Sequence, residues 1–456
     1  MSTLIAREVK SADGQPVAFP NGIRFGPANY SPINNIGLMG GQGAGVGICP
    51  GPLPVGMAPL FGYDNPAHDN YGNYMYSDGS IMRWRPAYFI KFGTGANGLA
   101  LNRVDVKPFS AYPDVATANA AGYSLDRAFY DGGAVQPGYF EDKYIPSNNG
   151  GIASSLKNGI PLASATRGGI GNTNFASLTG APADAFYGAI AAAKTRGPNF
   201  FPASRFMQVS RARIALAHAQ ASTSAAWNAW YDAAGVTNFP KGCNNNALGD
   251  QNDAAILYLS DGSAAPTCGK SGSANLFART TDNGQNCGIA DVNGLLWEIG
   301  LGLTVSTDTA KYFVWKPSVR AKDMTAGAGG GLDCWGTEAQ LLAAGYEVLG
   351  ATYGALLASS TAKYFGNAAQ VFSEATEASD HLAWQAAGAG VPLVGGVGGT
   401  NAFGQDILYD YQPAGLCPIA GGDWTGGVGA GVWTLYLATV RGASSGNFGF
   451  RAALYL

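Results

Sequence analysis

The stretch "GGDWTGGVGAGVWTLYLATVRGASSGNFGFRAALYL", Gly421 to Leu456, sets Trp424, Trp433 and Tyr436 among many glycines and ends soon after Gly449-Phe450-Arg451. Trp433, Leu435 and Leu437 alternate with Thr434, Tyr436 and Ala438, which predicts a strand with one buried face. "NFGFRAALYL" reads as a further strand at the end of the chain. Chain ends fray unless the fold holds them, so this tail is expected to be tied into the rest of the molecule.

The remaining sequence decides whether the tail serves catalysis, adhesion or packing. At 456 residues the chain is long enough for two or three domains and a sizeable core. Its 67 glycines are roughly twice the usual share, and its 12 % of charged residues is about half the usual one. With 46 % hydrophobic residues it is too apolar for disorder, and so little charge suits a surface shared with other subunits. A net charge of −3 with no run of Lys or Arg argues against nucleic-acid binding. Met1 to Glu8 lack the apolar core of a secretory signal, so synthesis in the cytoplasm is expected.

Phe25 to Tyr63 carries no charge, but Pro50, Pro52, Pro54 and Pro59 break any helix that could cross a bilayer. No membrane insertion is expected, and the segment reads as a buried or subunit-covered coil, a candidate docking or oligomerisation arm. Six cysteines include no C-x-x-C pair, which argues against zinc. Cys243, Cys268, Cys287 and Cys334 allow one or two disulfides if the protein works outside a cell, with the connectivity open.

Residues 1–115 read as a β-rich region with long loops, through "RWRPAYFIKF" and "LALNRVDVKPF". Then Phe129 and Tyr130 precede a Gly-Gly turn and Tyr139, Phe140 and Tyr144 follow it, as in a hairpin. Helices are predicted over "APADAFYGAIAAAKTRG" and from Ala203 onward through Phe206, Val209, Arg213, Ile214 and Ala217, with a second short helix through Trp227, Trp230 and Tyr231. "EAQLLAAGYEVLGATYGALLASS" also reads as helix, while "AAILYLSDG", "GLLWEIGLGLTVS" and "KYFVWKP" read as strands. Helices gathered early and strands later predict an α+β fold.

Residue patterns for chemistry are sparse. "GGQGAGVG" at 40–47 lacks the lysine and hydroxyl that a phosphate loop places after its last glycine, so it reads as a packed glycine coil. His68, His218 and His381 are far apart in sequence. "CNNNALGDQNDA" and "TTDNGQNCGIADVNG" concentrate oxygen donors that could hold calcium, but they lack the spaced carboxylates and closing glutamate of an EF-hand loop. Asn and Asp also build turns through their own side chains, and that reading is preferred. No G-x-S-x-G elbow precedes a plausible triad.

In Gly421, Gly422, Trp424, Arg441, Asn447, Gly449, Phe450 and Arg451 the tail resembles the end of the C-type lectin-like fold, in the branch of formylglycine-generating enzymes and retroelement-diversified phage tropism determinants. Asn293, Gly294, Trp297 and Glu298 in "DVNGLLWEIGLGL" resemble the same branch's N-G-x-V-W-E-W, with Ile299 departing from the second tryptophan. "GYFEDKYIPSNN" is similar to the fold's first strand, and the resemblance runs through roughly residues 120–456. It implies a C-type lectin-like domain over 116–456, with twisted antiparallel strands, helices and long loops, behind an N-terminal attachment region over 1–115.

Between Trp424 and Arg451 there is no cysteine, so the paired redox cysteines of the enzymatic branch are missing, and Cys417 stands alone. The EPN, QPD and WND motifs of sugar-binding C-type lectins are also missing. The resemblance therefore implies a non-enzymatic scaffold without a cofactor: a phage tail fibre or receptor-binding protein that acts in the virion. It implies receptor contact by Trp424, Thr425, Trp433, Tyr436 and Arg441, the alternative for the tryptophans being burial in the core. It assigns packing roles to Asn293, Gly294, Trp297, Glu298, Asn447, Gly449, Phe450 and Arg451. Arg451 is expected to be fixed by carboxylate or carbonyl partners, with Glu298 as the candidate. A host receptor, other virion proteins at the N-terminal region and a homotrimer are the expected partners. A structural head or tail decoration protein and a divergent metal-dependent oxidase are the alternatives.

Overall fold

The computed structural model describes residues 36, 43–100, 103–178, 180–222, 242–264, 267–326, 336–349, 359–364, 374–392, 406–411 and 413–456, with 359–364 as backbone only. Among them β1 (Met57–Pro59), β2 (Asn73–Tyr76) and β3 (Ile81–Pro86) run antiparallel in succession. Pro86 closes β3, having no N–H to extend a ladder, and β4 (Tyr88–Phe92) turns into a separate sheet between β5 (Val104–Pro108) and β6 (Ser124–Leu125). Helix α1 (Val115–Ala120) lies between the last two, its first turn capped by Asp114.

The expected hairpin forms: β7 (Tyr130–Asp131) and β8 (Ala134–Val135) pair across Gly132-Gly133, and β9 (Gly138–Asp142) follows. A second hairpin joins β10 (Ser147–Asn149) to β11 (Ile152–Ser154). Both predicted helices form, α2 (Ala185–Lys194) capped by Asp184 and α3 (Arg205–Ala221) capped by Ser204, with β12 (Phe201–Pro202) between them. The short helix expected through Trp227 to Tyr231 lies outside the described residues.

Farther on come β13 (Trp297–Ile299), β14 (Leu303–Val305), β15 (Tyr312–Trp315), α4 (Glu338–Ala343), β16 (Tyr346–Val348) and β17 (Ser359–Tyr364). Helix α5 (His381–Gly388), β18 (Ile407–Asp410), β19 (Ile419–Ala420), β20 (Leu435–Leu437), β21 (Phe448–Gly449) and β22 (Ala452–Tyr455) complete the order.

Two expectations about elements are corrected here. The helix expected from Glu338 onward stops at Ala343, because Tyr346 to Val348 instead pair with β15, where their aromatic and branched side chains fit a pleated surface. "AAILYLSDG" forms only isolated bridges at Leu257 and Ser260. The backbone N–H groups of Leu257 and Leu259 are taken by Asn275 Oδ1 and Ser273 Oγ, so no partner strand is needed there.

Two six-stranded sheets organise the molecule. The first runs β1-β2-β3-β9-β22-β12 and the second, of mixed direction, runs β17-β18-β20-β19-β13-β21. β3 and β22 flank β9 on either side, so the first sheet crosses the boundary expected between residues 115 and 116. β21 and β22 are successive in the chain but belong to different sheets, so Phe450-Arg451 is the link between the two. Helix α3 is almost entirely buried and reaches both sheets through Arg211, and one large hydrophobic cluster joins residues of both sheets and the helix. The chain is thus α+β, with mixed helices and strands.

The charge-free coil is buried from residue 43 to 47 and at Cys49, and mostly exposed or half-buried beyond. Ala44, Val46 and Cys49 are in the interior, Val46 packs with Tyr71 and Cys287, and Gly45 O accepts from Arg85. Val55 and Phe61 farther along are 96 % and 87 % exposed. Cys49, Cys243, Cys268, Cys287 and Cys417 are free and buried, so the disulfides considered for Cys243, Cys268 and Cys287 are not formed among them, and Cys334 lies outside the described residues. No described helix is long and apolar enough to cross a membrane.

Candidate binding surface

The motif residues of the two separate stretches meet at the link between the sheets. Glu298 on β13 accepts from Arg451 Nε at 2.7 Å through one oxygen and from Arg211 Nη2 of α3 at 2.5 Å through the other. Arg451 spends its remaining donors on the carbonyls of Lys143, at 3.0 Å, and Ala290. Strand, helix and chain end are therefore held by one carboxylate, as the pairing of Glu298 with Arg451 expected from the sequence requires. Burial works against ionisation of Glu298, but the guanidinium groups of Arg211 and Arg451 outweigh it and hold its carboxyl below the usual range.

A second carboxylate does the same for the first sheet. Asp282 binds Arg83 at 2.6 Å and Arg85 at 2.5 Å, all three side chains fully buried. Burial again opposes ionisation, yet the two cations hold Asp282 at about 2. Arg211 also lies 3.5 Å from Glu141 of β9, which brings the two ionic groups to the same helix.

The remaining signature residues pack. Phe450 is fully buried, edge-on to Phe175 at 5.5 Å. Gly422 adopts φ +88°, and a Cβ there would stand 2.6 Å from that of Ala430, so a side chain has neither the conformation nor the space. Asn447 donates to Asp423, whose other oxygen accepts from the backbone and hydroxyl of Thr425, so this bond joins the Gly-Gly-x-Trp turn to the closing motif. Asn293 and Gly294 lie buried in the turn that leads into β13.

The five residues expected to contact a receptor separate into two groups. Trp433 is fully buried behind β20, on the side shared with Leu435 and Leu437, and its backbone N–H donates to Asp406 at 2.8 Å. Arg441 is 1 % exposed with its guanidinium 4.0 Å from the centre of Phe186, a cation–π contact inside the fold. Trp424 packs in a satellite cluster with Cys243, Cys268, Leu295 and Leu296. These three are corrected to packing residues, since large apolar and aromatic-stacked groups are stabilised more by burial than by exposure. Thr425 is exposed and Tyr436 half-buried, so both reach the surface.

Tyr436 does not stand alone. Its ring stacks on Tyr409 of β18 at 4.7 Å and 9°, and Trp297 of β13 lies 5.7 Å away on its other flank. Register places Tyr409 opposite Tyr436 and Trp297 opposite Phe448, while Ile419 and Ile299 continue the same face between them. In-register neighbours share a face of the sheet. Tyr409, Tyr436, Trp297 and Phe448 therefore form one half-buried aromatic row across the second sheet. Burial and the neighbouring Tyr409 phenol push the Tyr436 hydroxyl above its ordinary range, so it stays a neutral donor and acceptor.

Sequence reading assigned Trp297 to packing and passed over Tyr409 and Phe448. The period-two pattern of "ILYD" at Ile407–Asp410 is the signal that places Tyr409 opposite the buried Leu408, but four residues are short for a periodicity.

The oxygen-rich loops spend their side chains on turns and ion pairs. Asp250 accepts from the backbone N–H groups of Gly242, Asn252 and Asp253, and Asn245 from those of Ala247 and Gly249. Asp253 pairs with Arg279, and Asp291 accepts from Ser271, Gly272 and Tyr258. The bonds of Asp250 and Asn245 are the local roles that Asn and Asp take in turns, while Asp253 and Asp291 reach distant partners.

No protein-family model matches the chain, and no curated protein matches it. Among solved structures, a chain named Major Tropism Determinant U1 Variant aligns with a TM-score of 0.26 and 10 % identity, over 83 % of this chain and 65 % of that one. The chain thus spans less than two thirds of that protein's length.

Proposed function

We propose that the protein is a receptor-binding component of a phage virion, a non-enzymatic adhesin that presents the aromatic row on a C-type lectin-like scaffold. The observation that supports this reading is the row itself: four half-buried aromatic side chains on one face of the sheet, with Tyr409 stacked on Tyr436, Trp297 tilted against Tyr436 and Phe448 opposite Trp297. Tyr and Trp dominate the energetics of many interfaces, and side chains pre-ordered by stacking lose little entropy on binding. Thr425 at the nearby turn belongs to the same proposed contact region.

Attachment to other virion proteins is assigned to the N-terminal region, where Val55 and Phe61 are exposed. Apolar side chains this open suit a surface covered by a partner. A homotrimer is the assembly expected of such a fibre.

The test is adsorption of the labelled full chain to a panel of bacterial strains. Strain-restricted adsorption is expected, and Tyr409→Ala with Tyr436→Ala should weaken it roughly thirtyfold, the effect of losing one interface hot spot. Adsorption unchanged in the doubly substituted chain, with its melting temperature near the parent's, would remove the row from the interface. Failure to adsorb to any strain would favour the decoration protein.

A further inference from the structure

A pocket of about 510 Å³ opens at the end of β9, and none of its lining residues belongs to the aromatic row. Its cationic groups are Lys143, Lys157 and Arg279, and its single carboxylate is Asp69. Arg279 is committed to Asp253, outside the lining. The two lysines face the same ring, each ammonium 5.4 Å from the centre of Phe277. Lys143 is only 3 % exposed and donates to Asn286 O at 2.8 Å, which fixes its head while leaving two further N–H donors. Burial lowers its pKa to about 8, so it is still mainly charged at neutral pH.

Two ammonium groups against one carboxylate leave the pocket with a net single positive charge, which favours an anion over a neutral ligand. A monoanion matches that charge better than a phosphate, which carries roughly −1.5 to −2. The rest of the lining fits a sugar ring. Phe277 is half-exposed beside Tyr144, its ring edge-on at 6.2 Å. Asn70 and Asn286 direct their amide nitrogens to Phe61 O and Asp69 Oδ1, which leaves their oxygens to meet hydroxyl groups. Apolar walls with a few placed polar groups are the usual make-up of a small-ligand site.

We propose that this pocket binds the carboxylate of an acidic saccharide, with Lys143 and Lys157 holding the anion and Phe277 lying against the ring. The site is separate from the aromatic row and does not depend on its role.

Saturation-transfer NMR and calorimetry on the full chain, with glucuronate, glucose and inorganic phosphate as probes, test it. Glucuronate and glucose share a ring and differ at the carboxylate. Glucuronate should bind at least roughly tenfold more tightly than glucose, the usual weight of a charge-assisted hydrogen bond. Lys157→Gln, at an exposed position, should cost a similar factor with an unchanged melting curve, and Phe277→Leu should weaken glucuronate and glucose alike. Equal affinity for the two sugars, no glucuronate binding, displacement of glucuronate by phosphate, or parent-like affinity in Lys157→Gln would each overturn the proposal.

Discussion

Asp282 is the residue whose protonation the fold feels most directly. Its carboxylate is buried against Arg83 and Arg85, and its pKa is depressed from 3.8 to about 2. A depressed carboxyl stabilises the folded state above its unfolded pKa, and that contribution is lost as pH falls through the folded value. The expected loss between about pH 4 and pH 2 is about 2 kcal/mol from Asp282, and Glu298 adds to it in the same direction. Denaturant unfolding over a pH series measures it. Asp282→Asn should flatten this acid limb and, by leaving two buried guanidinium groups without their carboxylate, cost about 3–5 kcal/mol at neutral pH. An acid limb as steep in Asp282→Asn as in the parent would assign the loss to other groups.

At the scale of elements, β22 concentrates the argument about the chain end. It lies between β9 and β12 in the first sheet, and Tyr455 donates to Ala128 O at 2.7 Å. Removing residues 452–456 would leave the edges of β9 and β12 unpaired and take the buried side chains of Ala452, Ala453 and Leu454 out of the core. The truncated chain is expected to lose its cooperative thermal transition, read by circular dichroism; a sharp transition near the parent temperature would show that the tail is dispensable. This tie was legible in the sequence, because a strand pattern at a chain end must find a partner. So was the Glu298–Arg451 pair, as a candidate, since an arginine beside a buried phenylalanine needs carboxylate or carbonyl partners. The outward side of the sheet was less legible. Trp433 could be placed inside by its alternation with Leu435 and Leu437, whereas Tyr409 owes its place to a parallel pairing with β20 that no local pattern encodes. At "AAILYLSDG" the alternation is real, with Ile256 and Tyr258 buried and Leu257 and Leu259 exposed. Side chains of Ser273 and Asn275 replace the partner strand, and that substitution leaves no trace in the segment itself.

The whole molecule is joined across the point where the sequence suggested a division. β3 pairs with β9 through five residues from Met82 to Pro86, so the part before residue 115 supplies one flank of the strand that β22 covers on the other. It also supplies Arg83 and Arg85, the cations that keep Asp282 ionised in the interior. A fragment of residues 116–456 would therefore have an open edge on β9, an uncovered Phe140 and a buried carboxylate with neither of its guanidinium partners. The damage would extend to the second sheet, because Arg451 holds Glu298 and the carbonyl end of β9 together. The fragment is expected to elute as aggregate or expanded chain, with weak near-ultraviolet dichroism and no cooperative melt, and to lack the adsorption proposed for the full chain. A fragment that melts cooperatively within a few degrees of the full chain would mean that β3 is an accessory strand and that the second sheet and its aromatic row stand without the ionic groups of the first.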